Sequence, residues 1–166
     1  KHIRSGLDKA NTELGAERGE APDAVGTGRR FSHMLAIAPN ASSSIIMGNT
    51  SPSIEPYRAN AYRQDTLSGS HTNKNKFLQR LLEKKAEKEK LNLDEEWSSI
   101  IANDGSVQHL KYLSDVEKDT FKTSMEMNQQ WIINHASERQ KYIDQAQSVN
   151  LFFRPDADIK YLHAVH

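Results

Sequence analysis

Much of this chain's architecture follows from the stretch Ala38-Pro39-Asn40-Ala41-Ser42-Ser43-Ser44-Ile45-Ile46, which is followed by Ser51-Pro52-Ser53-Ile54-Glu55-Pro56. An apolar run from Met34 to Ala38 stops at a proline, small polar residues follow, and an aliphatic pair comes next. This order predicts a strand, a tight turn over 39–44 and a short helical turn over 44–48. Backbone amide groups at such a turn favour a bound phosphate.

Two interpretations of the turn stay open on the residues alone. The first is a serine-rich surface loop without a ligand. The second is a phosphate site, in which Pro39 ends the strand, Ala41 lets the backbone approach closely, and Ser42 and Ser43 offer hydroxyl and amide groups.

The composition excludes several classes of protein. The 166 residues suffice for one domain with a hydrophobic core. The 22 basic and 22 acidic residues balance, so neither a nucleic acid nor a membrane surface is expected as the main partner. The sequence holds no cysteine, which excludes disulfides and thiol chemistry from these residues.

The two ends of the sequence suggest a piece of a larger protein. The first residue is not methionine, and residues 158–166 have the pattern of a helix that is cut off in progress. We therefore expect a chain that is incomplete at both ends.

Hydrophobic periodicity predicts a mostly helical chain with two buried strands, Phe31–Ala38 and Val149–Phe153. Short apolar strands between helices are typical of a parallel sheet that is covered on both faces. Two strands do not form such a sheet alone, so the remaining strands are expected outside this chain, and the fold class is a helix-rich α/β fragment. The predicted helices are Leu7–Glu17, Phe77–Lys90, Asn92–Ala102, a long helix from the capping box at Ser114 to about Ala136, and a last helix that begins near Asp156 or Asp158. Residues 57–70 are predicted as short strand or loop pieces.

Two further clusters contain residue types that occur in binding sites. Gly26-Thr27-Gly28-Arg29-Arg30 has the composition of a second anion-binding loop, although a solvated loop is favoured. His163 and His166, with Asp156 or Asp158 nearby, do not match a known zinc spacing. No metal site is expected.

Three segments resemble one protein family. Residues 35–44 with Ser53-Ile54-Glu55-Pro56, the segment Ile101-Ala102-Asn103-Asp104-Gly105-Ser106-Val107, and Tyr142-Ile143-Asp144-Gln145-Ala146-Gln147-Ser148-Val149-Asn150 occur in the same order as motifs of that family. The chain thus resembles the large (alpha, catalytic) subunit of class I aerobic ribonucleotide reductases, in the style of bacterial and bacteriophage members.

The resemblance implies a ten-stranded α/β barrel made of two parallel five-stranded halves. Residues 1–166 would be the C-terminal portion of this barrel domain, with late strands and the helices around them. It also implies that the turn binds the substrate diphosphate through Pro39, Asn40, Ala41, Ser42 and Ser43, with Ala41 acting through its amide group alone. It places no catalytic residue and no metal ligand in this chain.

The implied activity is reduction of ribonucleoside diphosphates to deoxyribonucleoside diphosphates in the cytoplasm. The thiyl cysteine, a glutamate and an asparagine beside it, and the redox cysteine pair would lie upstream, and the radical-relay tyrosines downstream. The implied partners are the N-terminal part of the subunit, a metal-containing small (beta) subunit that supplies the radical, and thioredoxin or glutaredoxin. ATP and dNTP effectors would bind elsewhere, and the isolated chain would be inactive.

The alternative function is a non-catalytic helical module that binds a phosphorylated ligand or partner through the same turn. A decayed fragment without function is a third possibility.

Overall fold

The computed structural model describes residues 1–47, 51–67 and 69–166. These residues form two compact units, one comprising residues 1–39 and 132–149 and the other residues 40–131 and 150–166. Within the described residues, no helix combines the length and hydrophobicity needed to cross a membrane. The elements in chain order are α1 (His2–Arg18), α2 (Ala41–Ile46), β1 (Ala61–Thr66), β2 (Gly69–Lys74), α3 (Lys76–Glu89), α4 (Leu93–Ala102), α5 (Asp115–Thr120), a 3₁₀ turn (Ser124–Glu126), α6 (Gln130–Gln140) and α7 (Ile159–Val165).

The first unit contains a parallel pairing of two extended segments. The amide of Gln145 donates to the carbonyl of Leu35 at 3.1 Å, and the amide of Ser148 donates to the carbonyl of Ile37 at 2.7 Å. Ile37 and Gln147 form the parallel bridge at the centre of this pairing. The predicted parallel relation is therefore present, but over 35–37 and 145–148.

The prediction of two buried strands is wrong in its bounds and its burial. No residue from Met34 to Ala38 is buried, and the paired segment 145–148 ends before Val149–Phe153 begins. The reason lies in the backbone donors after the bridge. The amides of Asn150 and Phe152 donate to side-chain oxygens rather than to a neighbouring strand, so this apolar stretch is not a strand.

Asp144 anchors the start of the parallel pairing. Its carboxylate accepts the amide of Leu35 at 2.9 Å and that of Met34 at 3.1 Å, and it pairs with Arg4 at 3.1 Å. The bonds from the Leu35 and Met34 amides, with the Arg4 guanidinium, hold the pKa of this carboxyl below its ordinary value, against the opposing effect of desolvation. The aspartate therefore fixes the register of the two segments.

The second unit is built around one hydrophobic cluster. Helices α3 and α4 each bury one side, as the predicted helical periodicity requires. Leu78, Leu82 and Ile100 are fully buried, and Trp97 lies beside them. The remaining members of the cluster are Ala61, Val107, Leu110 and Leu113.

A β-hairpin precedes α3. Strands β1 and β2 pair antiparallel from Ala61↔Lys74 to Thr66↔Gly69. At its open end Asn75 donates through its amide to the carbonyl of Asn60 at 2.7 Å, and the Asn75 side chain caps α3. The sequence predicted only short strand or loop pieces over 57–70 and did not predict this pairing.

The capping box at Ser114 is confirmed, but the long helix to Ala136 is wrong. Helix α5 ends at Thr120. A second capping box follows, in which the amide of Thr123 donates to Glu126 at 2.8 Å, and the amide of Ser124 donates to a distant carbonyl. Because these donors have partners outside the helical pattern, the helix stops and α6 begins separately at Gln130.

Candidate functional site

The predicted phosphate turn leads directly into a helix. Pro39 is the last residue of the first unit, and Asn40–Ser43 open the second. Helix α2 begins at Ala41, three residues earlier than the helical turn predicted over 44–48, of which Gly48 lies outside the described residues. Ala41, Ser42 and Ser43 therefore form the first turn of a helix, where amide groups have no partner within the helix itself.

The hydrogen-bond donors of this first turn lack acceptors among the described residues. Asn40 is the N-cap residue, and its side chain makes no cap bond to the helix. Among the described residues no acceptor is found for the amides of Ala41, Ser42 and Ser43, or for the two serine hydroxyl groups, and all three residues are exposed. Five donor groups within three exposed residues thus have no acceptor among the described residues.

The backbone behind these donors is fixed from two sides. Ser44 is buried, its hydroxyl donates to the carbonyl of Ala41 at 2.8 Å, and its amide donates to the carbonyl of Asn40 at 2.8 Å. The amide of Asn40 donates to the carbonyl of Pro52 at 2.7 Å. Ser44 closes the turn predicted over 39–44 but is not among its predicted ligand residues, and its burial identifies it as a structural residue.

The turn also follows a bridged segment directly, since Ala38 comes one residue after Ile37. In parallel α/β structures ligands bind beyond the carboxyl ends of the strands. The position of the turn in the chain is therefore one at which such folds bind ligands.

The second predicted anion loop already has an anion from its own chain. The amides of Gly26 and Gly28 donate to the carboxylate of Glu20, that of Gly26 at 2.7 Å. These two bonds, the first from Gly26, hold the pKa of Glu20 below its ordinary value. This role of Glu20 was not predicted; an acidic residue six positions before the first loop glycine was the available signal.

The described residues offer no cluster of three or more histidine and carboxylate side chains suited to a metal ion. His163 lies in the last turn of α7 and His166 follows that helix. Asp158 is used as the N-cap of α7, where it accepts the amide of Lys160 at 3.0 Å.

A separate cleft of about 820 Å³ lies in the second unit. Charges of both signs line it, from Arg58, Arg63 and Arg154 on one hand and from Asp104 and Glu126 on the other. None of the five predicted turn residues lines this cleft. Its mixed charge does not give the concentrated positive field that would favour an anion.

The family-level comparison agrees with the three motifs. Residues 19–166 match the model of the family described as "Ribonucleotide reductase, barrel domain". The chain belongs to this family. The resemblance seen in the sequence is thereby confirmed.

Viral relatives are similar along the whole chain. The ribonucleoside-diphosphate reductase large subunit of Invertebrate iridescent virus 3 is 59% identical over 166 residues, which are 100% of this chain and 26% of that protein. The large subunit of Invertebrate iridescent virus 6 is 57% identical over 166 residues, which are 99% of this chain and 17% of that protein. The chain thus spans about a quarter or less of these relatives.

A solved structure shows the same fold. The class Id ribonucleotide reductase alpha subunit of Actinobacillus ureae superposes with a TM-score of 0.84 at 42% identity, covering 98% of this chain and 28% of that subunit. The family assignment and this likeness place the chain in the ribonucleotide reductase barrel domain, and the described part of it is helix-rich with one two-stranded sheet.

Proposed function

We propose that this chain supplies the substrate diphosphate-binding turn of a ribonucleoside-diphosphate reductase large subunit. The complete subunit reduces ribonucleoside diphosphates to deoxyribonucleoside diphosphates for DNA synthesis. The observation that carries the proposal is the set of open amide and hydroxyl donors on Ala41, Ser42 and Ser43, in a chain that belongs to the ribonucleotide reductase barrel family.

The proposed role of these residues is positioning. A diphosphate accepts hydrogen bonds from several donors at once, and the partial positive charge at the start of α2 adds to its binding. Pro39 ends the preceding segment, and Asn40 connects it to the helix. Fixing the diphosphate fixes the ribose attached to it, which is the proximity contribution to catalysis.

The reacting groups are proposed to come from outside these residues. Removal of the ribose 2′-hydroxyl requires a radical that abstracts hydrogen and two reducing equivalents. The chain has no cysteine to supply either one. No residue of this chain is therefore assigned a catalytic role, and the isolated chain is expected to be inactive.

The chain is proposed to be the C-terminal portion of the catalytic barrel. The parallel bridge between Ile37 and Gln147 supports late barrel strands at these two places, and the helices between them surround the barrel. The proposed partners are the N-terminal part of the subunit, the small (beta) subunit whose metal site supplies the radical, and thioredoxin or glutaredoxin. ATP and dNTP effectors bind elsewhere in the subunit, and the enzyme is cytoplasmic.

A double substitution, Ser42→Ala with Ser43→Ala, tests the turn in the complete large subunit that contains this chain. Each lost hydrogen bond to a charged group is worth about 1.5–3 kcal/mol. We expect the KM for a ribonucleoside diphosphate to rise at least about 100-fold, while kcat at saturation changes much less.

The matched control is Ser98→Ala with Ser99→Ala, a second adjacent serine pair that lies on α4. This variant is expected to leave KM unchanged. An unchanged KM in the Ser42 and Ser43 variant contradicts the assignment of the turn. Diphosphate binding without any turnover in the complete, reconstituted enzyme favours the non-catalytic phosphate-binding module instead.

A further inference from the structure

The second unit contains a buried carboxylate that the proposed function does not use. Glu55 is only 5% exposed. Removing a carboxylate from water costs several kcal/mol unless its oxygens have good partners. Among the described residues no lysine, arginine or histidine lies within ion-pairing distance of it. The role of this buried carboxylate must therefore lie in the hydrogen bonds that it accepts.

Glu55 bonds one residue twice. Its Oε1 accepts the backbone amide of Asn150 at 2.6 Å and the side-chain amide of the same residue at 3.3 Å. Asn150 begins the part of the second unit that resumes after residue 149. The carboxylate therefore joins two stretches of the second unit that are 95 positions apart in the chain.

The segment that carries Glu55 also makes a hydrogen bond that fixes the start of the proposed phosphate turn. Three residues earlier, the carbonyl of Pro52 accepts the amide of Asn40 at 2.7 Å. Pro52 and Pro56 bracket this segment, and the proline ring restricts backbone rotation at both ends of it. Because Glu55 and Pro52 lie only three residues apart, a shift at Glu55 displaces Pro52 and with it the hydrogen bond to Asn40, the N-cap of α2.

We infer that Glu55 is a positioning residue for the diphosphate turn, acting through Pro52 on Asn40. This inference rests on the proposed function. By holding Asn150, Glu55 keeps the 52–56 segment in the place from which Pro52 fixes the start of α2. The open amides of the turn are then held ready for the diphosphate without Glu55 touching it.

The test uses three substitutions in the complete large subunit. Glu55→Ala removes the acceptor, and we expect the KM for a ribonucleoside diphosphate to rise about 10-fold, with a smaller change in kcat at saturation. Glu55→Gln keeps the Oε1 acceptor for both Asn150 amides and is expected to restore KM to within about 2-fold. Glu55→Asp keeps the charge but shortens the side chain, so its KM is expected to lie between the two.

Glu117→Ala is the matched control, because the Glu117 carboxylate also accepts a backbone amide, that of Ser114, at 2.8 Å. It belongs to the capping box of α5 and is expected to lower stability without raising KM. Size-exclusion chromatography and circular dichroism establish that each variant is folded. If Glu55→Ala does not fold, the comparison of Glu55→Asp with Glu55→Gln decides the question.

The outcomes separate this inference from the function on which it rests. Raised KM values for Glu55→Ala and Glu55→Asp, rescue by Glu55→Gln and no effect of Glu117→Ala support it. If the Glu55 variants leave KM at the wild-type level while the Ser42 and Ser43 variant raises it, the inference is wrong and the turn assignment stands. If the serine variant also leaves KM unchanged, both are wrong.

Discussion

The loop at Gly26–Gly28 and the turn at Ala41–Ser43 are two sets of backbone amides suited to an anion. In the loop, the carboxylate of Glu20 receives both glycine amides. In the turn, no described residue accepts the three amides. The two segments have similar small residues, but the amides of the loop have an acceptor and those of the turn have none among the described residues.

This is the difference expected between a structural anion site and the proposed ligand site. A backbone donor needs a partner wherever it is buried, and a nearby carboxylate can satisfy it permanently. Donors without such a partner must bond water or a ligand. The composition of a stretch predicts that an anion fits, whereas only the fold shows whether the chain supplies that anion itself.

The largest expected effect comes from giving the turn an anion of its own, as the loop has. Ser43→Asp in the complete large subunit places a carboxylate at the first turn of α2. Like charges brought together at a binding site cost several kcal/mol, so we expect the KM for a ribonucleoside diphosphate to rise more than about 100-fold. Steady-state kinetics measure this change.

The same substitution is expected to stabilise α2 rather than harm it. An acidic residue in the first turn of a helix contributes about 0.3–1 kcal/mol, so the loss of binding is not a loss of folding. Ser43→Asn is the uncharged control of similar size and is expected to raise KM far less. Equal KM values for the aspartate and asparagine variants would rule out a phosphate at this turn.

A smaller effect is expected from disturbing the occupied loop. Gly15 is a buried residue of α1, and a Cβ added there would lie 2.1 Å from the carbonyl oxygen of Gly28. We expect Gly15→Ala to cost about 1–3 kcal/mol, as overpacking does. Hydrogen exchange in the complete subunit should show faster exchange of the Gly26 and Gly28 amides, while KM stays unchanged.

Gly6→Ala is the control on the same helix, because a Cβ at Gly6 has no neighbour within 4 Å. Alanine is a better helix former than glycine by about 1 kcal/mol, so this variant should be neutral or stabilising. Equal exchange rates at Gly26 and Gly28 in the Gly15→Ala and Gly6→Ala variants would show that the loop does not pack against α1 at Gly15.

The parts of the fold that local sequence determines were predicted well. Helices α3 and α4 were predicted to within one residue of their observed bounds, and Leu78, Leu82 and Ile100 are buried on them. The capping box at Ser114 is also local, and it is confirmed. These features depend on residues within one or two turns of each other.

The parts that depend on distant partners were not predicted. The apolar stretch Val149–Phe153 has strand composition, but its amides bond Glu55 and Gln129, which are far away in the sequence. The helix from Ser114 stops early because Thr123 and Glu126 form a second capping box, a pattern that is present in the sequence but that the prediction did not include. The residues alone left the 39–44 turn open between a surface loop and a phosphate site, and only the resemblance favoured the phosphate site; the lack of described acceptors for its amides is visible only in the fold.

The smallest expected effect concerns the charge that fills the loop. Glu20 has a pKa below its usual 4.5 in the folded chain, because the Gly26 and Gly28 amides favour its ionised form. Its contribution to stability is therefore complete above the unfolded pKa near 4.5 and is lost as the pH falls through the lower folded pKa. Glu20→Gln should lower the protection of the loop amides at pH 7, and the difference from the wild type should shrink as the pH falls below 4.5.

Hydrogen exchange of Gly26 and Gly28, corrected for intrinsic rates, measures this difference in protection. A difference that stays constant down to pH 3 would show that the carboxylate charge does not hold the loop. Because the turn at Ala41–Ser43 has no such carboxylate, its exchange should not respond to Glu20→Gln, and it should respond instead to added inorganic pyrophosphate.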